Sequence, residues 1–191
     1  MDSFCILTAF VRRFAITLAF VFLSACGGET STASTASMKE QMGALEKKGL
    51  LPNLDRSTDI AGPDTDRNGI RDDLDTFIAA LPISEQAKNA TRQVARVQQQ
   101  SLLIDLKNRN ALLALSDASM AATACMSRTF KAGLPMEQKS KARKDGFAIA
   151  LKIEAITANT PERAARYLGY MRALHGTTTR YPSAEQKVCD D

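Results

Sequence analysis

The chain is poor in the residues that catalysis at neutral pH uses most. It has one histidine, no tryptophan and three tyrosines. A single histidine, His175, leaves no ligand set for zinc and no Ser-His-Asp or Cys-His arrangement in recognisable context. There is no glycine-rich phosphate loop and no nucleophile elbow. His175 stands just before Gly176, in the last turn of the last expected helix, where a cation complements the helix dipole. Strand signals are missing too: no segment alternates apolar and polar residues between turns. The densest basic run is Lys139, Lys141, Arg143 and Lys144, with Arg128 and Lys131 upstream, and the net charge is only +4. No aromatics interleave with that run, so nucleic acid is not an expected partner. The run reads as a solvated helix face, or as a contact for lipid head groups or anionic polymers.

What is present in quantity is acid at a particular spacing. In Asp64-Thr-Asp66-Arg-Asn68-Gly69-Ile70-Arg-Asp72-Asp73-Leu-Asp75, oxygen-bearing side chains stand at loop positions 1, 3, 5, 9 and 12, with glycine at position 6. That is the ligand spacing of a calcium loop of about twelve residues. Asp64, Asp66, Asn68, Asp72 and Asp75 offer side-chain oxygens, and Ile70 offers its backbone carbonyl. Gly69 allows a sharp turn with positive φ. Arg67 and Arg71 are placed to offset part of the negative charge. The alternative is a solvated acidic turn, because Asp and Asn beside Gly are common in turns. Residues 50–63 carry two prolines and show no helical period, so no helix enters the loop. One leaves it, with Leu74, Phe77, Ile78 and Leu81 at steps of three and four before Pro82. A calcium loop with only an exiting helix resembles the dockerin and thrombospondin type 3 repeat loops over residues 63–78. The resemblance implies metal binding at Asp64, Asp66, Asn68, Asp72 and Asp75. It does not extend to cohesin docking or a tandem array.

Residues 1–25 read as an address. Arg12 and Arg13 precede an apolar run from Phe14 to Leu23, too short to span a bilayer. Leu23-Ser24-Ala25-Cys26 follows, and it resembles the lipobox of bacterial lipoproteins. The resemblance implies lipidation of Cys26 and a mature chain beginning there. The alternatives are an ordinary secretory signal cut nearby and a membrane anchor left uncut. Gly27 rather than Asp after the cysteine points toward the outer membrane. Residues 27–37 are small and polar, and with Cys26 they form an expected flexible tether with a reach of roughly 18 Å.

The remaining residues, 38–191, are expected to form one all-α domain, a bundle of about five helices with the calcium loop at 64–75. A short helix is expected over Met38 to Lys48. Ser84 caps the next, with a buried stripe through Ala87, Ala90, Val94, Val97, Ser101 and Ile104, widened by Leu103 and Leu106. Residues 107–110 are polar and mark a break, after which a helix covers about 111–130; one unbroken helix is the alternative. A helix over about 137–157 buries Ala142, Ile149, Ile153 and Ile156, with Phe147 and Leu151 beside them. Thr160-Pro161-Glu162 starts the last, burying Ala164, Leu168, Met171 and Leu174.

Of four cysteines, Cys5 falls in the address and Cys26 in the lipobox. Cys125 and Cys189 are expected to pair in an oxidising compartment and pin the irregular tail, the alternative being two free thiols. The function expected is a calcium-binding, lipid-anchored, non-enzymatic envelope protein that faces the periplasm from the outer membrane. Its partners would be the membrane, through the anchor, and an envelope protein or anionic polymer. The alternative is an envelope hydrolase acting on peptidoglycan or glycan, with carboxylates drawn from Glu137, Glu154 or Glu162.

Overall fold

The computed structural model describes Glu40, Ala44 and residues 46–49 and 53–190. The address at 1–25, Cys26 and the tether to residue 37 lie outside the described residues. So does much of the short helix expected over Met38 to Lys48, of which Glu40, Ala44, Glu46 and Lys47 are helical.

The rest is all-α, as the periodicity requires. Five helices follow in order: α1 (Asp72–Ala79), α2 (Glu85–Leu103), α3 (Arg109–Lys131), α4 (Met136–Thr157) and α5 (Pro161–Ala173). No strand occurs among the described residues. The starts follow the capping chemistry. The side chains of Ser84, Asn108 and Thr160 accept from the backbone N–H three residues on, satisfying donors that the first turn leaves unpaired. Asn108 also decides the break: α2 ends at Leu103, Ile104 turns extended, and Asn108 starts α3 afresh. The polar segment at 107–110 thus separates two helices.

Helix α2 touches each of the other four helices. Its stripe through Ala90, Val94 and Ala95 joins Leu74 and Ile78 of α1, Ala122, Cys125 and Met126 of α3, and Ile153 and Ile156 of α4 in one core. A smaller cluster of Leu112, Leu115 and Tyr170 fills the space between α3 and α5, with Ile104 and Leu106 against it.

Three helix faces differ from expectation, the first on α2, where Leu103 is exposed and Leu102 is buried in its place. On α5, Leu168 and Met171 are exposed while Arg163 and Tyr170 are buried. On α4, Phe147 and Leu151 are exposed, and Gly146 takes the inward position, where an added Cβ would lie 3.3 Å from the Phe130 ring. The α5 rotation has a polar cause. The guanidinium of Arg163, 0% exposed, donates to the backbone oxygens of Asp55 (2.7 Å), Asp59 (2.6 Å) and Ile60 (3.2 Å) and to the carboxylate of Asp55 (2.5 Å). A buried guanidinium must have its donors satisfied, and only this face of α5 meets the irregular segment.

A second buried arginine ties the start of α1 to the end of α4. Arg71, also 0% exposed, pairs with Asp73 (2.6 and 2.9 Å) and donates to the carbonyl of Ile156 (2.8 Å) at the end of α4. Asp73 in turn accepts the backbone N–H of Asp55 at 2.9 Å. Residues 53–63 form no helix, and Arg163 supplies partners to their carbonyls while Asp73, paired with Arg71, takes the Asp55 N–H. Gly62 lies between the two arginines, at φ 66. A Cβ there would fall 2.3 Å from Arg71 Cδ and 3.0 Å from an Arg163 nitrogen.

The tail is irregular yet held. Cys125 and Cys189 form a disulfide, with Cα atoms 5.0 Å apart. Closing a loop of this size stabilises by roughly 4 kcal/mol in the chain-entropy account. Gln93 donates to the Val188 carbonyl (2.8 Å), and Arg128 donates to the carbonyls of Ser183 and Gln186 (2.5 and 2.7 Å).

Removing Arg163 takes the guanidinium from the Asp59 and Ile60 carbonyls and the counter-charge from the Asp55 carboxylate, leaving Asp55 only its bonds from Ser57 and Asn159. Arg163→Met is expected to lower unfolding free energy by about 3–5 kcal/mol in urea titration. The Asp55 carboxyl carries the pH dependence. Burial pushes its pKa up, but the hydrogen bond from Arg163, the two from Ser57 and the Arg163 charge outweigh that and hold it below the ordinary value. A lowered folded-state pKa contributes stability above the unfolded value of about 3.9, and that stability is lost as pH falls through the lower folded value. Wild-type unfolding free energy is expected to fall more steeply than that of Arg163→Met across this acid range.

Candidate metal centre

The acidic stretch wraps into a closed turn before α1. The backbone N–H of Asp72 donates to the Pro63 carbonyl at 2.9 Å and joins the ends. Within it, the Asp64 carboxylate accepts the backbone N–H groups of Asn68 (3.1 Å) and Gly69 (3.0 Å). Gly69 has φ 81 and Arg67 φ 57. Two left-handed residues so close together give the tight curl, at low cost for the glycine and at some strain for the arginine. An added Cβ at Gly69 would also press on Arg96 Cγ at 3.3 Å.

The curl brings Asp64, Asp66 and Asp72 together. One carboxylate oxygen from each lies within 4.8 Å of the others. Oxygens that share a hard cation at about 2.3–2.6 Å are separated by no more than roughly twice that distance, so this spread fits a common ion. The donors are all oxygen, which suits a hard cation. Asp72 is held by Thr65, whose hydroxyl donates at 2.7 Å and whose backbone N–H donates at 2.9 Å. The hydroxyl and then the backbone bond lower the Asp72 pKa, keeping the carboxylate charged.

Asn68 and Asp75 stand differently from the triad. The Asn68 side-chain oxygen accepts the Ile70 N–H at 2.8 Å. Its NH2 group donates to Asp66 at 2.9 Å and, more closely, to Asp75. Asp75 also accepts from Arg92 of α2 at 3.2 Å. The amide therefore bridges carboxylates that would otherwise repel. Ile70 is fully buried in the main core, so its side chain ties the turn to the interior. Arg71, expected to offset part of the loop's charge, does so at Asp73 rather than at the triad, pointing inward to reach α4 as well.

Sequence reasoning did not find Thr65, Arg92 or Arg96. Arg92 and Arg96 share one face of α2 at a spacing of four, but nothing in the sequence says that this face meets the acidic turn. Arg96 donates to the Asn68 carbonyl (3.1 Å) and to the Asp190 carboxylate (2.9 Å), joining the turn to the tail. The carboxylates considered for hydrolysis lie on α4 and α5. Glu137 and Glu162 open α4 and α5 in exposed first turns, and Glu154, half-buried, hydrogen-bonds Tyr167. No family model, no characterised protein and no solved structure matches the chain.

Because the Thr65 hydroxyl is the larger influence on Asp72, Thr65→Val is expected to raise the Asp72 pKa toward the ordinary carboxylate value. Carboxyl NMR titration checks it; the backbone bond from residue 65 should keep part of the lowering.

Proposed function

We propose that this chain is a calcium-binding, lipid-anchored protein of the bacterial cell envelope, a non-enzymatic binding or structural module. The observation that carries the reading is the convergence of Asp64, Asp66 and Asp72 at a spacing fit for one hard cation, on a loop whose sequence also follows the calcium-ligand pattern. Calcium accepts six to eight oxygens in irregular geometry, whereas magnesium demands a near-ideal octahedron. A short turn of flexible carboxylates suits the former. Asn68 would complete the set by turning its amide to offer oxygen in place of NH2. Asp72 would reach the ion directly or through water, with the Ile70 carbonyl and Asp75 as further donors. Asp75 would then leave Asn68 and Arg92.

The role that follows is structural. The turn holds Ile70 in the core and meets α2 through Arg92 and Arg96, so a bound ion stabilises the domain by mass action. Affinity of such extracellular modules is about 10⁻⁴ to 10⁻³ M. The lipobox-like Leu23-Ser24-Ala25-Cys26 supports lipidation at Cys26 and an outer-membrane position facing the periplasm, with the small polar residues to 37 as tether. The domain would there engage an envelope protein or anionic polymer.

Millimolar calcium is expected to raise Tm relative to EDTA, and magnesium to raise it less. Asp64→Ala should remove the response while leaving helical content unchanged by circular dichroism. Equal Tm with and without calcium, together with no heat of binding, would reduce the loop to an acidic turn. Separately, Cys26→Ser is expected to release the protein from the membrane fraction and abolish labelling by a lipid precursor. Unchanged fractionation would remove the anchor from the proposal.

A further inference from the structure

A cleft of about 440 Å³ opens between α3 and α4. Its size falls in the range of small-molecule sites, about 300–1,000 Å³. Val94, Met126, Phe130 and Phe147 supply apolar walls, and Arg143 and Lys144 supply the cationic ones. The cleft exists because α4 presents small residues toward Phe130, with Gly146 at the closest point. Glycine inside a helix costs about 1 kcal/mol relative to alanine, and an alanine here would press on the Phe130 ring. Phe147 is 64% exposed beside this space, a large apolar surface left uncovered.

The basic residues around the cleft are not equivalent. Lys141 pairs with Asp145 at 2.7 Å, and Arg128 is engaged by carbonyls of the tail. Among the described residues, Arg143 and Lys144 make no ion pair. Two uncommitted cations beside an apolar cleft complement a molecule with one anionic end and one apolar chain. Val94, buried at 6% exposure, forms part of the lining. A single chain inserted end-on reaches it; the flat surface of a bilayer does not.

We propose that this cleft binds a free single-chain anionic amphiphile, a fatty carboxylate. Its alkyl chain lies among Val94, Met126, Phe130 and Phe147, and its carboxylate lies against Arg143 and Lys144. The site is separate from the acidic turn and independent of calcium.

Calorimetry of the full chain with dodecanoate, kept below its micelle concentration, tests the site, with dodecanol as the neutral probe. One molecule of dodecanoate per chain is expected. The double substitution Arg143→Gln, Lys144→Gln should weaken dodecanoate by roughly tenfold or more, and dodecanol far less. Ser127→Phe, which fills the cleft, should weaken both. Should that variant fail to fold, Phe147→Ser at the exposed wall should still weaken both probes. Absence of dodecanoate binding, equal affinity in the glutamine variant, or full affinity in the wall variant would each overturn the proposal. Binding to anionic vesicles without binding to monomeric dodecanoate would overturn it in favour of a membrane contact.

Discussion

Two buried guanidinium groups hold this domain to one arrangement. A polypeptide segment with two prolines and no helical period leaves its carbonyls without internal partners. Carried into contact with packed helices, such a segment needs donors from elsewhere. Arg163 supplies them to Asp55, Asp59 and Ile60, and Arg71 supplies them to α4 while Asp73 receives Asp55. The Asp55 and Asp73 carboxylates balance the two cations. This network dictates which face of α5 turns inward, and so overrides the apolar stripe that Leu168 and Met171 would otherwise have formed.

The acidic turn inherits its position from that network. It begins just past Gly62, which is wedged between the two arginines, and it ends where Arg71 is buried. Within a few residues the chain passes from a half-buried carboxylate cluster to a fully buried Ile70 and Arg71. The conformation of the turn and the packing of the core are thereby linked through one short piece of backbone. Arg96 extends the link to Asp190, beside the disulfide at Cys189. The first and last parts of the described domain thus meet on one face of α2.

The central helix also meets two unlike surroundings, the acidic turn and the apolar cleft. Arg92 and Arg96 face the acidic turn, while Val94, between them in sequence, lines the apolar cleft. Residues two apart on a helix point in different directions. One element therefore presents charge to the turn and methyl groups to the cleft.

The all-α class, the starts at Ser84 and Thr160 and the loop spacing were legible in the amino-acid sequence, because each depends on residues a few positions apart. Caps, periodicity and Asp-Asn-Gly turn chemistry act locally, and the sequence displays local relations directly. The pairing of Cys125 with Cys189 was readable for a different reason: few thiols were available to choose from. Tertiary structure alone decided that Arg71 points inward, that Arg163 rather than Leu168 faces the interior, and that Arg92 competes for Asp75. It also decided that Phe147 stands exposed beside a cleft. Each of these joins segments far apart in the chain, and its outcome depends on satisfying buried polar groups against apolar packing. A helical wheel ranks residues by hydrophobicity, but a guanidinium with several waiting acceptors outweighs a leucine, and those acceptors come into view only when the chain is folded.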